Sequence, residues 1–329
     1  MAPKLSVSEA KSLYKTTTLN GQKYSYMLSE PQNGSATDTI FLIHGFPDMS
    51  YGWRNQIPFL NSLGLRVVVP DMLGYGHSST SSDPKFMTYK RAADDIAALA
   101  AELKLSKIIL GGHDWGGATV YRVALFHPDL VSAVFSVCTP FGPPGEEYRD
   151  MAEMPNFKYQ IQFRGDEIVE QVKGEEKIRQ FLNAMYGGRT KEKEVGFGVE
   201  HGVYLDKLVR IGETPLLSKE EMDFYVERFA VNGMQGPTNW YRTGKLNYED
   251  EKAMNIDWST YKFKMPFLFI GGARDAALPP AMSKNMDKYF RSLTRGEVNA
   301  SHWALWEKPD EVNLYIKEFL FGSAGAAKL

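Results

Sequence analysis

Short runs of consecutive apolar residues recur through the first half of the chain and return near its end. Residues 39–43, 66–69, 107–110 and 133–138 are such runs, and runs of this length bounded by turn residues predict strands buried on both faces. Residues 15–19 and 23–28 flank Asn20-Gly21, a pair that turns a hairpin. Apolar positions at helical spacing fill 89–103 and 118–126, the second stopped by His127-Pro128. From 146 to 257 no run of strand type occurs, and helical stretches dominate at 167–172, 175–185 and 219–231. Strand pattern resumes at 266–272 and again, briefly, at 296–299, before a helix over 309–321. Alternating strands and helices predict a mostly parallel central sheet flanked by helices. The change of pattern predicts three stretches: sheet and helices over 1–143, a helical insert over 144–257, and a return to the same sheet over 258–329. In such sheets ligands bind at the carboxyl ends of the strands.

Four of these strand ends carry residues capable of chemistry. Residues 107–110 lead into Gly111-Gly112-His113-Asp114-Trp115-Gly116-Gly117, a strand-to-helix turn with an acidic residue between small ones at minus two and plus two. That is the spacing of a nucleophile elbow, G-x-S-x-G, with Asp114 in the place of the serine. An Asp there could simply cap the next helix, so the other strand ends decide. Residues 39–43 end in His44-Gly45-Phe46-Pro47; 266–272 lead to Asp275; the last strand leads to Ala300-Ser301-His302-Trp303. Nucleophile, acid and base therefore follow in the order Asp114, Asp275, His302, which is the chain order of the α/β-hydrolase fold. Gly74-Tyr75-Gly76-His77-Ser78 lacks the strand before it and the helix after it that a second elbow would need, and reads as a loop at the sheet edge.

Composition removes several classes. The formal net charge is −2 over 329 residues with no basic or acidic block, which argues against a nucleic-acid partner. No apolar run approaches membrane-spanning length, and residues 1–6 lack the apolar core of a signal peptide. The lone Cys138 sits in an apolar run and reads as a buried structural thiol. The six histidines show no metal-ligand spacing, so neither a metal nor another cofactor is expected. These features predict an intracellular, cytoplasmic chain. The last three residues, Ala327-Lys328-Leu329, resemble a C-terminal peroxisomal address of the S-K-L type, which makes a peroxisomal location the alternative.

In combination the chain resembles the soluble epoxide hydrolases of the α/β-hydrolase fold. His44-Gly45-Phe46-Pro47 resembles their oxyanion loop, the Asp114 turn their nucleophile elbow, and Ser301-His302-Trp303 with Glu307-Lys308-Pro309 their base segment. Phe157-Lys158-Tyr159-Gln160 and Gly236-Pro237-Thr238-Asn239-Trp240-Tyr241-Arg242 resemble two segments of their helical cap. Residues 160–166 match only loosely. The resemblance implies a small apolar epoxide and water as substrates, with Asp114 as nucleophile and Tyr159 and Tyr241 as proton donors to the epoxide oxygen. It further implies that His302 with Asp275 activates water, and that the N–H groups of Phe46 and Trp115 hold the oxyanion, with His44 and Pro47 completing that loop. The residue types suit the reaction. A carboxylate is anionic at neutral pH and attacks carbon without a base, whereas the basic alkoxide it releases needs a neutral donor such as a phenol with a pKa of about 10. Asp114, Asp275 and His302 would equally serve a haloalkane or haloacid dehalogenase, with Trp115 and Trp240 as halide donors and the two tyrosines left without a task. A non-catalytic binding protein on this fold is the reading from another class.

Overall fold

The structure is a computed structural model that describes residues 4–31 and 34–322; Ala327-Lys328-Leu329 lies outside the described residues. Its strands are β1 (Tyr14–Leu19), β2 (Gln22–Ser29), β3 (Asp38–Ile43), β4 (Leu65–Asp71), β5 (Ile108–His113), β6 (Val131–Val137), β7 (Phe197–Gly198), β8 (Gly202–Val203), β9 (Phe267–Gly272) and β10 (Leu293–Val298). Eight of them form one sheet in the order β1-β2-β4-β3-β5-β6-β9-β10. β1, β2 and β4 pair antiparallel, and every other neighbour is parallel. The hairpin turns at Asn20-Gly21, where both φ are positive (46° and 79°), as its sequence requires. From β3 the chain steps to β4 on one side and later to β5 on the other. Order therefore reverses between β3 and β5, the place where open α/β sheets hold their sites.

Helices are α1 (Val7–Leu13), α2 (Ile57–Ser62), α3 (Tyr89–Glu102), α4 (Trp115–Phe126), α5 (Tyr159–Arg164), α6 (Glu167–Gln171), α7 (Gly174–Met185), α8 (Lys219–Asn232), α9 (Gln235–Asn239), α10 (Gly244–Ala253), α11 (Ala304–Glu307) and α12 (Pro309–Phe321). The described residues fall into two compact units: one comprises the chain up to Met72, Tyr89–Pro143 and the chain from Asp250; the other comprises Leu73–Thr88 and Pro144–Glu249. The first contains the sheet. α4 is buried at nearly every position, while α3 is amphipathic and hides Ala92, Asp95, Ile96 and Leu99. Buried Asp95 accepts from Tyr24 Oη, Asn20 Nδ2 and Arg91 Nε, each at 2.7 Å, and so fastens α3 to the β1–β2 hairpin.

The second unit is helical, with one short ribbon, β7–β8, that the hydrophobic pattern does not signal because its strands are two residues long. Leu73–Thr88 belongs to this unit, not to the sheet edge. Trp240 Nε1 donates to the Leu73 carbonyl at 3.2 Å, Asn232 Nδ2 to those of Gly76 and Ser78 at 2.9 Å, and Asn239 Nδ2 to that of Ser81 at 2.7 Å. A Cβ on Gly74 would stand 2.6 Å from the Gly236 backbone, so the glycines of this loop serve a close approach to α9. These partners are more than 150 residues distant in sequence, and no local pattern can announce them.

Smaller departures have local causes. β6 ends at Val137, and Cys138 follows it with φ 67°. β10 begins at Leu293, earlier than the apolar signal, because at the sheet edge three of its positions are exposed and carry the polar Thr294, Arg295 and Glu297. After Asp275 the chain makes two 3-10 turns, Pro280–Ser283 and Met286–Tyr289, before β10.

Candidate active site

Four strands of the first unit deliver the site. β5 ends at His113, and α4 starts at Trp115, so Asp114 alone makes the turn, at φ 55° and ψ −123°. A non-glycine residue there is strained, and the surroundings must hold it. Bare glycines make room. A Cβ on Gly112 would come within 2.2 Å of the Gly116 carbonyl oxygen, and one on Gly116 within 2.0 Å of the Ile43 oxygen. On the facing loop, a Cβ on Gly45 would strike Asp114 Oδ1 at 2.2 Å. Thr139 Oγ1 donates to the Asp114 carbonyl at 2.7 Å and steadies the turn from β6.

The loop after β3 presents the Phe46 N–H to Asp114 Oδ1 at 2.7 Å, and its Phe46-Pro47 peptide is cis. His44 is buried with both nitrogens on backbone. Nε2 accepts from the Met72 N–H at 3.0 Å, so Nδ1 carries the proton and donates to the Gly45 carbonyl at 2.9 Å. Burial holds His44 below its ordinary pKa despite nearby carboxylates, which keeps this arrangement neutral. His44 therefore shapes the loop. The Trp115 N–H, at the first position of α4, is one that the helix ladder does not use.

Opposite Asp114 stands His302, on the loop after β10. Its Nε2 lies 3.3 Å from Asp114 Oδ2, and its Nδ1 lies 2.8 Å from Asp275 Oδ2. The other oxygen of Asp275 accepts from the N–H groups of Ala277 and Leu278, both at 2.9 Å. His302's own carbonyl receives His113 Nε2 at 2.7 Å and Cys138 Sγ at 3.5 Å. Glu307 closes the loop: it accepts from the Ser301 N–H at 3.1 Å, from the Ser301 hydroxyl and from Arg274 Nη2 at 3.0 Å. The sequence thus brings Asp114, Asp275, His302 and Phe46 together.

Charge follows from this geometry. Burial disfavours the Asp114 carboxylate, but His302 and the Phe46 N–H outweigh it and hold the carboxyl below its ordinary value. Burial acts likewise on Asp275, and the His302 charge and hydrogen bonds override it, taking the carboxyl down to about 2. For His302 burial opposes protonation, yet the two carboxylates raise it well above the ordinary range. At neutral pH the site holds an imidazolium between two carboxylates. Burial lowers His113 to about 4, so it stays neutral and donates through Nε2.

Tyr159 and Tyr241 belong to the second unit and are both buried there. Tyr159 opens α5, and Tyr241 sits in the 3-10 turn Trp240–Arg242. Their ring centroids are 6.0 Å apart at 78°. Phe163 packs against both, at 5.5 and 5.1 Å. Arg242 fixes the end of α5 by donating to the carbonyls of Arg164 (2.8 Å) and Gly165 (2.7 Å), and Gln162 pairs with both backbone groups of Val203. The loosely matching residues 160–166 thus hold the two phenols in one aromatic bed.

Sequence spacing does not reveal that His113, Cys138 and His302 bring possible ligand atoms within 4.8 Å of one another. As a metal-binding set they fit poorly. Burial raises the thiol far above its usual pKa, His302 Nδ1 is held by Asp275, and His113 Nε2 is spent on a carbonyl.

The chain matches the alpha/beta hydrolase fold family over residues 38–309. It is 40% identical over 322 residues to the epoxide hydrolase srdG of Neurospora crassa, covering 93% of this chain and 94% of that protein. It is 34% identical over 299 residues to the mouse bifunctional epoxide hydrolase 2, covering 85% of this chain and 51% of the relative. The crystal structure of epoxide hydrolase A from Mycobacterium thermoresistibile superposes with a TM-score of 0.79 at 27% identity, over 94% of this chain and 98% of that one.

Proposed function

The chain belongs to the epoxide hydrolases of the alpha/beta hydrolase fold, and from that premise we propose that it opens epoxides to vicinal diols through an ester on Asp114. The observation that carries this reading is the carboxylate of Asp114 on its strained turn. One oxygen accepts the Phe46 N–H, and the other lies 3.3 Å from a histidine held by Asp275. In the first step an Asp114 oxygen attacks an epoxide carbon, the C–O bond breaks, and the ring oxygen takes a proton from the phenols Tyr159 and Tyr241. In the second, His302 takes a proton from water, whose oxygen attacks the ester carbonyl. The N–H groups of Phe46 and Trp115 carry the oxyanion until the diol leaves, and one such donor is typically worth about a hundredfold or more in rate.

The electrostatics support this order. Before reaction His302 is protonated because two carboxylates face it. Esterification removes the charge of Asp114, so one of the two forces holding the proton disappears, and the imidazolium gives its proton, by way of solvent, to the tyrosinate that ring opening left. Formation of the ester thereby converts His302 from a counter-ion into a base. The segment 144–257 is read as the cap that supplies the phenols, and Ala327-Lys328-Leu329 supports a peroxisomal address.

The test uses a His302→Gln variant, which can form the ester but not hydrolyse it. After exposure to styrene oxide its intact mass should rise by the whole epoxide, on Asp114. An adduct formed only from a bromoalkane, with loss of halide, would make the protein a dehalogenase; no adduct from either would remove covalent catalysis.

A further inference from the structure

The chain crosses between the two units four times, after Met72, Thr88, Pro143 and Glu249. On the side of the first unit every crossing is held by one of two buried side chains. His44 Nε2 accepts the N–H of Met72, the last residue before the first crossing. Arg122, on α4, holds the other three. Its guanidinium lies 5.0 Å from the ring of Tyr89, the first residue after the second crossing. Nη2 donates to the carbonyl of Gly142, one residue before the third, at 3.1 Å, and the guanidinium also lies 5.4 Å from the Phe141 ring. Nε and Nη2 grip Glu251, two residues after the fourth, at 3.1 and 3.2 Å. Both members of this ion pair are buried, so the grip is short-range and poorly screened.

α10, which carries Glu251, runs from Gly244 to Ala253 and contains the fourth crossing. Its start is tied to the turn that bears Tyr241: Thr243 Oγ1 donates to the Trp240 carbonyl at 2.8 Å, and Asn247 Nδ2 donates to Thr243 Oγ1 at 2.9 Å. Arg122 lies two turns along the helix that opens behind Asp114, and the ring of Tyr89 under it stands 5.8 Å from that of Trp115.

We propose that Arg122, through Glu251, Gly142 and Tyr89, is a positioning residue for ring opening: it fixes the segments through which the tyrosine-bearing unit is attached to the nucleophile-bearing one. This rests on the roles given above to Tyr159 and Tyr241. Ring opening needs groups from both units, whereas ester hydrolysis uses Asp114, His302, Asp275 and two backbone N–H groups, all from the first. Loosening the attachments should therefore slow one step and spare the other, a split that general destabilisation does not produce.

Arg122→Gln alone strands the buried Glu251 carboxylate and can abolish folding. The informative variant is Arg122→Gln with Glu251→Gln, which removes both charges together, alongside Arg122→Lys, which keeps a single-point ion pair but loses the fork. Single-turnover ester formation and ester decay are measured with styrene oxide for wild type, both variants and Tyr241→Phe. The expected result is ester formation slowed about tenfold or more in the double variant, less in Arg122→Lys, with ester decay within about twofold of wild type. Equal slowing of both steps, or no slowing of either, overturns the proposal while a slow Tyr241→Phe leaves the tyrosine assignment standing. Normal ester formation in Tyr241→Phe overturns that assignment, and the proposal falls with it.

Discussion

Asp275 shows how much one atom decides. Its Oδ2 takes the proton side of His302 Nδ1, and its Oδ1 takes two backbone N–H groups. An amide has one accepting and one donating end. In Asp275→Asn the oxygen serves the two N–H groups and the NH2 faces His302, forcing the imidazole into the tautomer whose Nε2 carries the proton and cannot accept one from water. Ester decay should fall by about a hundredfold or more while ester formation stays near wild type, so that the ester accumulates in a quenched-flow mass measurement. Loss of both steps together would contradict the assignment. At this scale much was legible in sequence. Asp114 stands in a contiguous string whose glycines have a steric reason, and His302 in another. Asp275 was readable only by its place in the order, and the roles proposed for Tyr159 and Tyr241 rest on resemblance alone, since nothing local distinguishes them among 17 tyrosines. Arg122 and Glu251 were not legible at all: they are 129 residues apart, and each alone is an ordinary helical charge.

Among the elements, those with strong periodicity appear where the pattern puts them. α12 spans Pro309–Phe321, and β9 and the β1–β2 hairpin match to within a residue or so. Elements held by long-range partners do not announce themselves. Leu73–Thr88 reads as a sheet-edge loop because its anchors, Asn232, Asn239 and Trp240, lie far along the chain. α1 has a complete capping box, Ser6 with Glu9, but is too short for a periodic signal. The elbow itself gives the element-scale prediction. Gly116→Ala gains up to about 1 kcal/mol of helix propensity but places a methyl 2.0 Å from the backbone oxygen of Ile43, which cannot swing aside. Strain of about 1–3 kcal/mol from overpacking should win, lowering the denaturant midpoint and ester formation together. Gly142→Ala, where nothing lies within 4 Å of the new methyl, should stay within about 0.5 kcal/mol of wild type. An unchanged midpoint in Gly116→Ala would show that β3 and α4 can part without cost.

For the whole molecule the buried site makes stability a function of pH on both sides of neutrality. The raised pKa of His302 favours the folded state fully below its unfolded value of about 6.5, and that contribution drains away as pH rises through the folded value. His44 and His113 are depressed by burial, His113 to about 4; their contribution is complete above about 6.5 and is lost as pH falls toward the folded values. Asp114 and Asp275 extend the acid loss, since their lowered carboxyls favour the folded state above about 3.9 and stop doing so as pH falls through values near 2 for Asp275. These groups therefore set a maximum in thermal stability near pH ~6.5, with falls on both sides. Replacing His302 with Gln separates the two limbs. The alkaline fall should flatten, because the imidazolium whose raised pKa produces it is gone. The fall between about 6.5 and 4 should persist, because burial of His44 and His113 is its first cause. Melting temperatures of both proteins across this range decide the matter: an alkaline limb as steep in the variant as in wild type would mean that the charge on His302 is not what the fold is holding.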